Sequence, residues 1–197
     1  MRAAIFEMAM LGTGVVKGPF NFYKRVHKWT KGDGGEKQYT PYEKTVPRME
    51  HVSCWDFFPD PTATSIEDAE YVIQRHRLNK SQFRALINLP FFDATAIENC
   101  IARGPNYEDK YYEDTIREDE TEANYQENRF EVLEYWGVLD AQLAKATGLD
   151  IADSMSDLEQ VQINAWICNG MVLRCVLNPF TPARIPYQVV PYEVNPY

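Results

Sequence analysis

The chain has no apolar run approaching the ~20 residues that a membrane-spanning helix requires, so no membrane partner is expected of its 197 residues. Its start has a charge followed by apolar residues, but Glu7 interrupts the run and no small-residue cleavage site follows. That pattern fits a helix with Ile5, Met8 and Ala9 on one face and Gly12 as its C-cap, rather than a signal peptide. Cysteine and histidine are sparse: Cys54, Cys100, Cys168 and Cys175 form no C-x-x-C pair, and His27, His51 and His76 lie far apart. A structural zinc site and a disulfide framework are thereby disfavoured. Reduced, mostly buried thiols are expected, which suits synthesis in a cytoplasm. Positive charge is also short. The net charge of −9 argues against a free-standing nucleic-acid binder, because neutralising phosphates takes clustered Lys and Arg. What the chain does have is 45% hydrophobic and 13% aromatic residues, enough for a sizeable core and for one domain or one and a half.

Local pattern divides the chain into short elements. Val15-Val16-Lys17 and residues 20–27 read as two strands broken at Gly18-Pro19, with Lys31-Gly32-Asp33-Gly34-Gly35 as a turn or hairpin tip. A strand is expected over 49–58, stopped by Pro59 and Pro61. Ser65-Ile66-Glu67-Asp68 has the look of a helix start, and Tyr71 to Arg75 that of a strand. Asn79 should cap a helix with the apolar stripe Phe83, Leu86 and Ile87, and Asp93 a second helix through Ile97, Cys100 and Ile101, ended by Gly104. Residues 108–127 carry nine acids against two bases, Lys110 and Arg117, and are expected to form a solvated acidic face.

Further on, residues 129–136 read as a strand with Phe130, Val132 and Trp136 on one face, and 140–146 as a short helix stopped by Gly148. Asn169-Gly170 between two β-rich runs is a type I′ hairpin signal, both turn positions needing φ > 0. A two-residue loop would set Cys168 opposite Met171 and Cys175 opposite Asn164. The proline-rich stretch around Ile185-Pro186-Tyr187 reads as an edge strand.

Enzyme motifs find little support. The glycines of Gly12-Thr13-Gly14 follow a helix and precede a strand, the reverse of a phosphate-binding loop. Asp56, Asp60, Glu67, Asp68 and Glu70 supply the hard oxygen ligands that divalent cations prefer, and a metal-dependent nuclease or hydrolase using Asp56, Asp60 and Asp68 is the alternative reading. No lysine follows the second acid, however; Asp60 before Pro61 suits a turn, and Asp68 suits a cap. His27 and His76 each sit among Lys or Arg and are expected on solvated surface. No catalytic residue and no cofactor are assigned.

The order of these features resembles the podovirus-type portal proteins of tailed bacteriophages. An early Gly-Thr-Gly leading to a strand and Lys17, the run Asp56-Phe57-Phe58-Pro59-Asp60-Pro61-Thr62-Ala63, and Ser65-Ile66-Glu67-Asp68-Ala69 match that family's motifs. Glu134-Tyr135-Trp136 resembles its Glu-x-Trp strand, and the hairpin at Asn169-Gly170 its next hairpin. The motif positions carried over are Asp56, Phe57, Asp60, Pro61, Ala63, Asp68, Ala69, Trp136, Asn169 and Gly170, all as structural residues. The resemblance spans residues 1–197, with 31–44 and an acidic stretch at 107–128 as variable inserts. It implies an α+β fold of mixed strands, hairpins and several short helices, the wing-like region of a portal. The stem, clip and crown would lie outside this chain, which on that reading is a fragment, a split-gene product or a truncation. It further implies a structural role without enzyme activity: a ring, commonly of twelve copies, at the capsid vertex of the virion, made in the host cytoplasm. Double-stranded DNA would pass through it without sequence-specific binding, and terminase, capsid or scaffold and tail adaptor proteins would dock to it.

Overall fold

In the computed structural model the described residues are 2–31, 37–108, 128–149, 156 and 159–193. Most of the acidic stretch, the glycine-rich turn after Lys31 and residues 194–197 therefore lie outside the described residues. The chain is α+β, with mixed helices and antiparallel sheets, and it divides into two compact units, one of residues 1–54 with 186–197 and one of residues 55–185.

The first unit opens with helix α1 (Arg2–Leu11), closed by Gly12 at φ 80° with its N–H donating to the Met8 carbonyl. The expected stripe is corrected: the buried residue is Ala4, while Ile5 and Ala9 are exposed. Ala4 faces the sheet because α1 lies very close to the strand that follows. A Cβ built on Gly14 would come within 2.4 Å of the Ala4 carbonyl oxygen, so only glycine permits this approach.

Strand β1 (Thr13–Val26) runs unbroken where two strands are expected. Gly18-Pro19 is absorbed as a bulge between Lys17 and Phe20 rather than ending the strand. β1 is flanked by β4 (Tyr42–Val52) and, at the other edge, by β10 (Tyr187–Pro191), the edge strand anticipated from its prolines. β10 pairs only with Thr13 to Lys17. Beyond the bulge β1 and β4 continue as a two-stranded ribbon, and β2 (Trp29–Lys31) with β3 (Lys37–Tyr39) form a small ladder further along the chain.

The second unit is built on a five-stranded antiparallel sheet in the order β5-β6-β7-β8-β9. Its strands are β5 (Phe57–Pro59), β6 (Tyr71–Leu78), β7 (Phe130–Asp140), β8 (Gln160–Cys168) and β9 (Met171–Leu177). The expected strand over 49–58 is thus two strands, β4 and β5, separated by a single 3₁₀ turn at Cys54–Asp56. Helices α2 (Lys80–Ala85) and α3 (Ala94–Arg103) start where their caps predict. Asn79 and Gln82 form a reciprocal capping box, and the Asp93 carboxylate accepts from the N–H groups of Thr95 and Ala96. Phe83, Leu86, Ile97 and Cys100 pack with Phe130, Val132, Cys168 and Leu173 into one core cluster. Helix α4 (Ala141–Ala146) joins a second cluster with Val161, Ile163 and Ala165.

Asn169 and Gly170 have φ of 51° and 72°, as a type I′ turn requires, and Cys168 faces Met171. The expected pairing of Cys175 with Asn164 is corrected to Cys175 with Ala165. A bulge between Trp166 and Ile167 leaves Leu173 as an extra residue and shifts the register by one. All four cysteines are free thiols.

Candidate functional site

Residues 56–69 form a run of turns whose carboxylates are engaged one by one. Asp56 ends the 3₁₀ turn at Cys54–Asp56, directly before β5. Asp56 Oδ1 accepts from Arg75 Nε at 2.8 Å and Oδ2 from Arg77 Nη2 at 2.9 Å, while Arg75 Nη2 donates to the Trp55 carbonyl at 3.2 Å. Arg75 and Arg77 are two apart on β6, so alternation puts both guanidinium groups on one side of the strand. The Tyr107 ring lies 5.8 Å from each guanidinium, and Phe58 lies 5.7 Å from Arg75. The Arg75 side chain is only 1% exposed, so this is a desolvated ion pair rather than a surface one.

Asp60 is buried and closes the next turn. Its Oδ1 accepts from both the N–H and the hydroxyl of Thr62, and Oδ2 from the Glu70 N–H at 3.3 Å. The Thr62 hydroxyl and N–H bonds, then that from Glu70, hold its carboxyl below the usual carboxylate range despite burial. Pro61 and Ala63 complete this turn, and Phe57 is buried at its start.

The helix expected at Ser65 is corrected to a pair of turns. The Ser65 hydroxyl donates to Asp68 Oδ2 at 2.8 Å, so the capping contact is made but closes on itself, and Ala69 follows directly into β6. Asp56, Asp60 and Asp68, weighed together as metal ligands, are thus engaged by three separate sets of partners. Among the described residues no group of three or more His, Cys, Asp or Glu is placed to hold a metal ion.

A second polar arrangement crosses the middle of the same sheet. The register sets Gln74, Glu134, Trp166 and Arg174 side by side on β6, β7, β8 and β9. Glu134 is 2% exposed, and its carboxylate bonds His76 Nε2 at 2.8 Å, Trp136 Nε1 at 2.7 Å and Asn164 Nδ2 at 3.3 Å. Trp136 and Glu134 are two apart on β7, which is why the Glu-x-Trp spacing lets the indole N–H reach the carboxylate.

His76 is accordingly not the solvated surface residue expected from its Lys and Arg neighbours. It stacks on Trp166 with ring centroids 4.7 Å apart, and Phe92 meets the same indole edge-on at 5.4 Å. Burial lowers the Arg174 guanidinium from its usual range, while the Glu134 charge opposes that shift; its cation lies 5.4 Å from Phe92. The indole nitrogen of Trp166 and Nε of Arg174 are buried without a hydrogen-bond partner, a cost the surrounding bonds must offset. Sequence spacing could flag the Glu134–Trp136 pair, but not the reach from His76 to Glu134 across 58 residues.

In the first unit, Glu7 of α1 gathers bonds from His51 Nε2 at 2.8 Å, the Ser53 hydroxyl at 2.9 Å and the Cys54 N–H at 3.2 Å. Burial pushes the Glu7 carboxyl up, but the three hydrogen bonds together hold it below the usual range. Cys54 itself donates to the Thr13 carbonyl, and burial beside Glu7 pushes its thiol up to about 11, the opposite of an activated nucleophile. Asp56, Glu134 and Glu7 thus each fasten one segment to another.

No protein-family model matches the chain, and no curated protein matches it in sequence.

Proposed function

We propose that this chain is a structural assembly subunit of the tailed-phage portal type, forming part of the ring at the capsid vertex through which double-stranded DNA passes. The observation that carries this reading is the outer face of α1. Ile5, Phe6 and Met10 are 57%, 69% and 68% exposed, on a helix whose inner side is held down by Ala4 and Glu7. Exposed apolar side chains grouped on one rigid helix mark a protein contact rather than a solvent face.

The occupant is a neighbouring copy, because a ring repeats one interface between identical chains. The motif residues support the same reading, since Asp56, Asp60, Asp68 and Trp136 all bond within the fold. Terminase, scaffold and tail adaptors are then partners of the assembled ring, and the virion is its location.

Sedimentation velocity tests the proposal. The wild-type chain should sediment as an assembly several times its monomer mass. Phe6→Asp with Met10→Asp should return it to monomer with an unchanged far-UV circular dichroism spectrum. A wild-type chain that stays monomeric at its highest soluble concentration would overturn it, as would a double variant that assembles as before.

A further inference from the structure

The net charge of −9 conceals a strong segregation. Residues 17–48 hold eight Lys and Arg against three Asp and Glu, a net of +5, which leaves −14 for the remainder. The structure puts much of this charge on the β1–β4 ribbon beyond the Gly18-Pro19 bulge. There Phe20 pairs with Arg48, Phe22 with Val46, Lys24 with Lys44 and Val26 with Tyr42.

Directly opposed residues of an antiparallel pair share a face, as do residues two apart. Between residues 20–26 and 42–48 one face therefore presents Lys24, Lys44 and Arg48 without an acid, beside Phe22 and Tyr42; the first acid on it is Glu50, two beyond Arg48 on β4 and paired with Lys17. Arg48 lies 5.0 Å from the Phe22 ring, which confirms that the two share this side. The opposite face differs: there Arg25 is directly across from Glu43. Lys24, Lys44, Arg48 and Tyr42 are all exposed.

Two features of this face call for an anionic partner. Like charges directly opposite on neighbouring strands destabilise a ladder, yet Lys24 faces Lys44 in the middle of a ribbon that has no third strand among the described residues. A two-stranded ribbon is also marginal in water unless something covers it.

An acidic protein surface is a poorer match than nucleic acid, because protein interfaces are depleted in lysine. Phosphate backbones, by contrast, are held by clustered Lys and Arg whatever the base sequence. The B-form major groove, ~12 Å wide, admits a two-stranded β-ribbon, while the deep, narrow major groove of A-form RNA does not expose its interior to side chains.

We infer that the β1–β4 ribbon is a duplex-DNA-binding arm that holds the phosphate backbone through Lys24, Lys44 and Arg48. The inference does not depend on the assembly reading, because it rests on the charge and pairing of the ribbon alone. It runs against the expectation drawn from the net charge of −9. The acidic remainder limits long-range attraction, but it does not cancel a local cationic face at distances beyond the ~8–10 Å screening length of physiological salt.

Fluorescence anisotropy with a labelled duplex DNA of about two helical turns (~20 base pairs) tests it on the whole chain. Binding should weaken steeply with salt. The triple variant Lys24→Gln, Lys44→Gln, Arg48→Gln should lose at least tenfold in affinity, and the slope of log K against log salt should shrink by about 2 to 3. Arg25→Gln, on the other face, should stay within about twofold of wild type by the same count of phosphate contacts. An unchanged circular dichroism spectrum and melting temperature would separate lost binding from lost folding.

Absence of duplex binding at low salt would overturn the inference, as would equal binding by the triple variant. Tighter binding of a single strand of the same length would overturn the duplex assignment. Loss of self-association in the triple variant, with no DNA binding by wild type, would reassign the face to the acidic surface of a second copy. Failure of the α1 variants to change sedimentation bears on assembly alone and leaves the DNA titration standing.

Discussion

Replacing Asp56 with alanine isolates the role of the motif's first carboxylate. The variant removes the partner of Arg75 Nε at 2.8 Å and of Arg77 Nη2 at 2.9 Å, and the Arg75 side chain is 1% exposed. Breaking a buried pair from one side typically costs about 3 to 5 kcal/mol, because a desolvated charge loses its compensation. Asp56 retains 15% exposure, and the Tyr107 and Phe58 rings stay close to Arg75, so the lower end, about 3 kcal/mol, is expected. That is roughly a hundredfold in the folding constant.

Urea denaturation followed by tryptophan fluorescence measures it. Trp55, Trp136 and Trp166, three of the chain's four tryptophans, lie in the unit of residues 55–185. With a slope of ~2 kcal/mol/M the midpoint should fall by about 1.5 M. Asp56→Leu combined with Arg75→Met should recover much of the loss, since a buried pair exchanged for apolar groups is often near neutral. A midpoint shift below about 0.5 M for Asp56→Ala, at an unchanged slope, would refute the reasoning and return Asp56 to the class of screened surface charges.

Three further outcomes are expected. Glu7 and Asp60 both titrate below the usual carboxylate range in the folded chain, so the stability they contribute is fully present above their unfolded values near pH ~4 and is lost as pH falls through the folded ones. Thermal melting between pH 6 and 3 should show this fall, and Glu7→Gln should make it shallower. Gly137→Ala should destabilise the second unit by about 2 kcal/mol, because the added Cβ would meet the Glu70 carbonyl at 2.6 Å and the Tyr135 hydroxyl at 2.7 Å; chemical denaturation reads the loss. Burial pushes the Cys168 thiol up to about 12 and the Cys100 thiol upward, so differential alkylation at pH 8 should label these two only when the chain is unfolded.

The elements legible in the sequence are those whose signal is complete within a few residues. Asn79 with Gln82, Asp93 ahead of α3, and Asn169-Gly170 each state their own geometry. Ser65 and Asp68 carry the same kind of signal, yet they close a turn, because β6 begins at Tyr71 and leaves no length for a helix. Gly18-Pro19 reads as a break on local grounds, but pairing with β4 on both sides carries the strand through it. The extra residue at Leu173 is invisible to a periodic pattern, and it alone moves Cys175 from Asn164 to Ala165.

The candidate sites divide in the same way. Asp60 could be assigned to its turn from Pro61 alone. Arg75 as the partner of Asp56, and His76 as the partner of Glu134, depend on strand neighbours set by the whole topology. Net charge was the least informative quantity, since it averages a ribbon face carrying Lys24, Lys44 and Arg48 with an acidic remainder.

The most direct measurement of the assembly role is the mass of the wild-type particle by native mass spectrometry. A closed ring predicts one dominant species at a whole-number multiple of 22.8 kDa, unchanged as concentration rises. A single peak at 22.8 kDa, or a ladder of multiples with no preferred number, would contradict it.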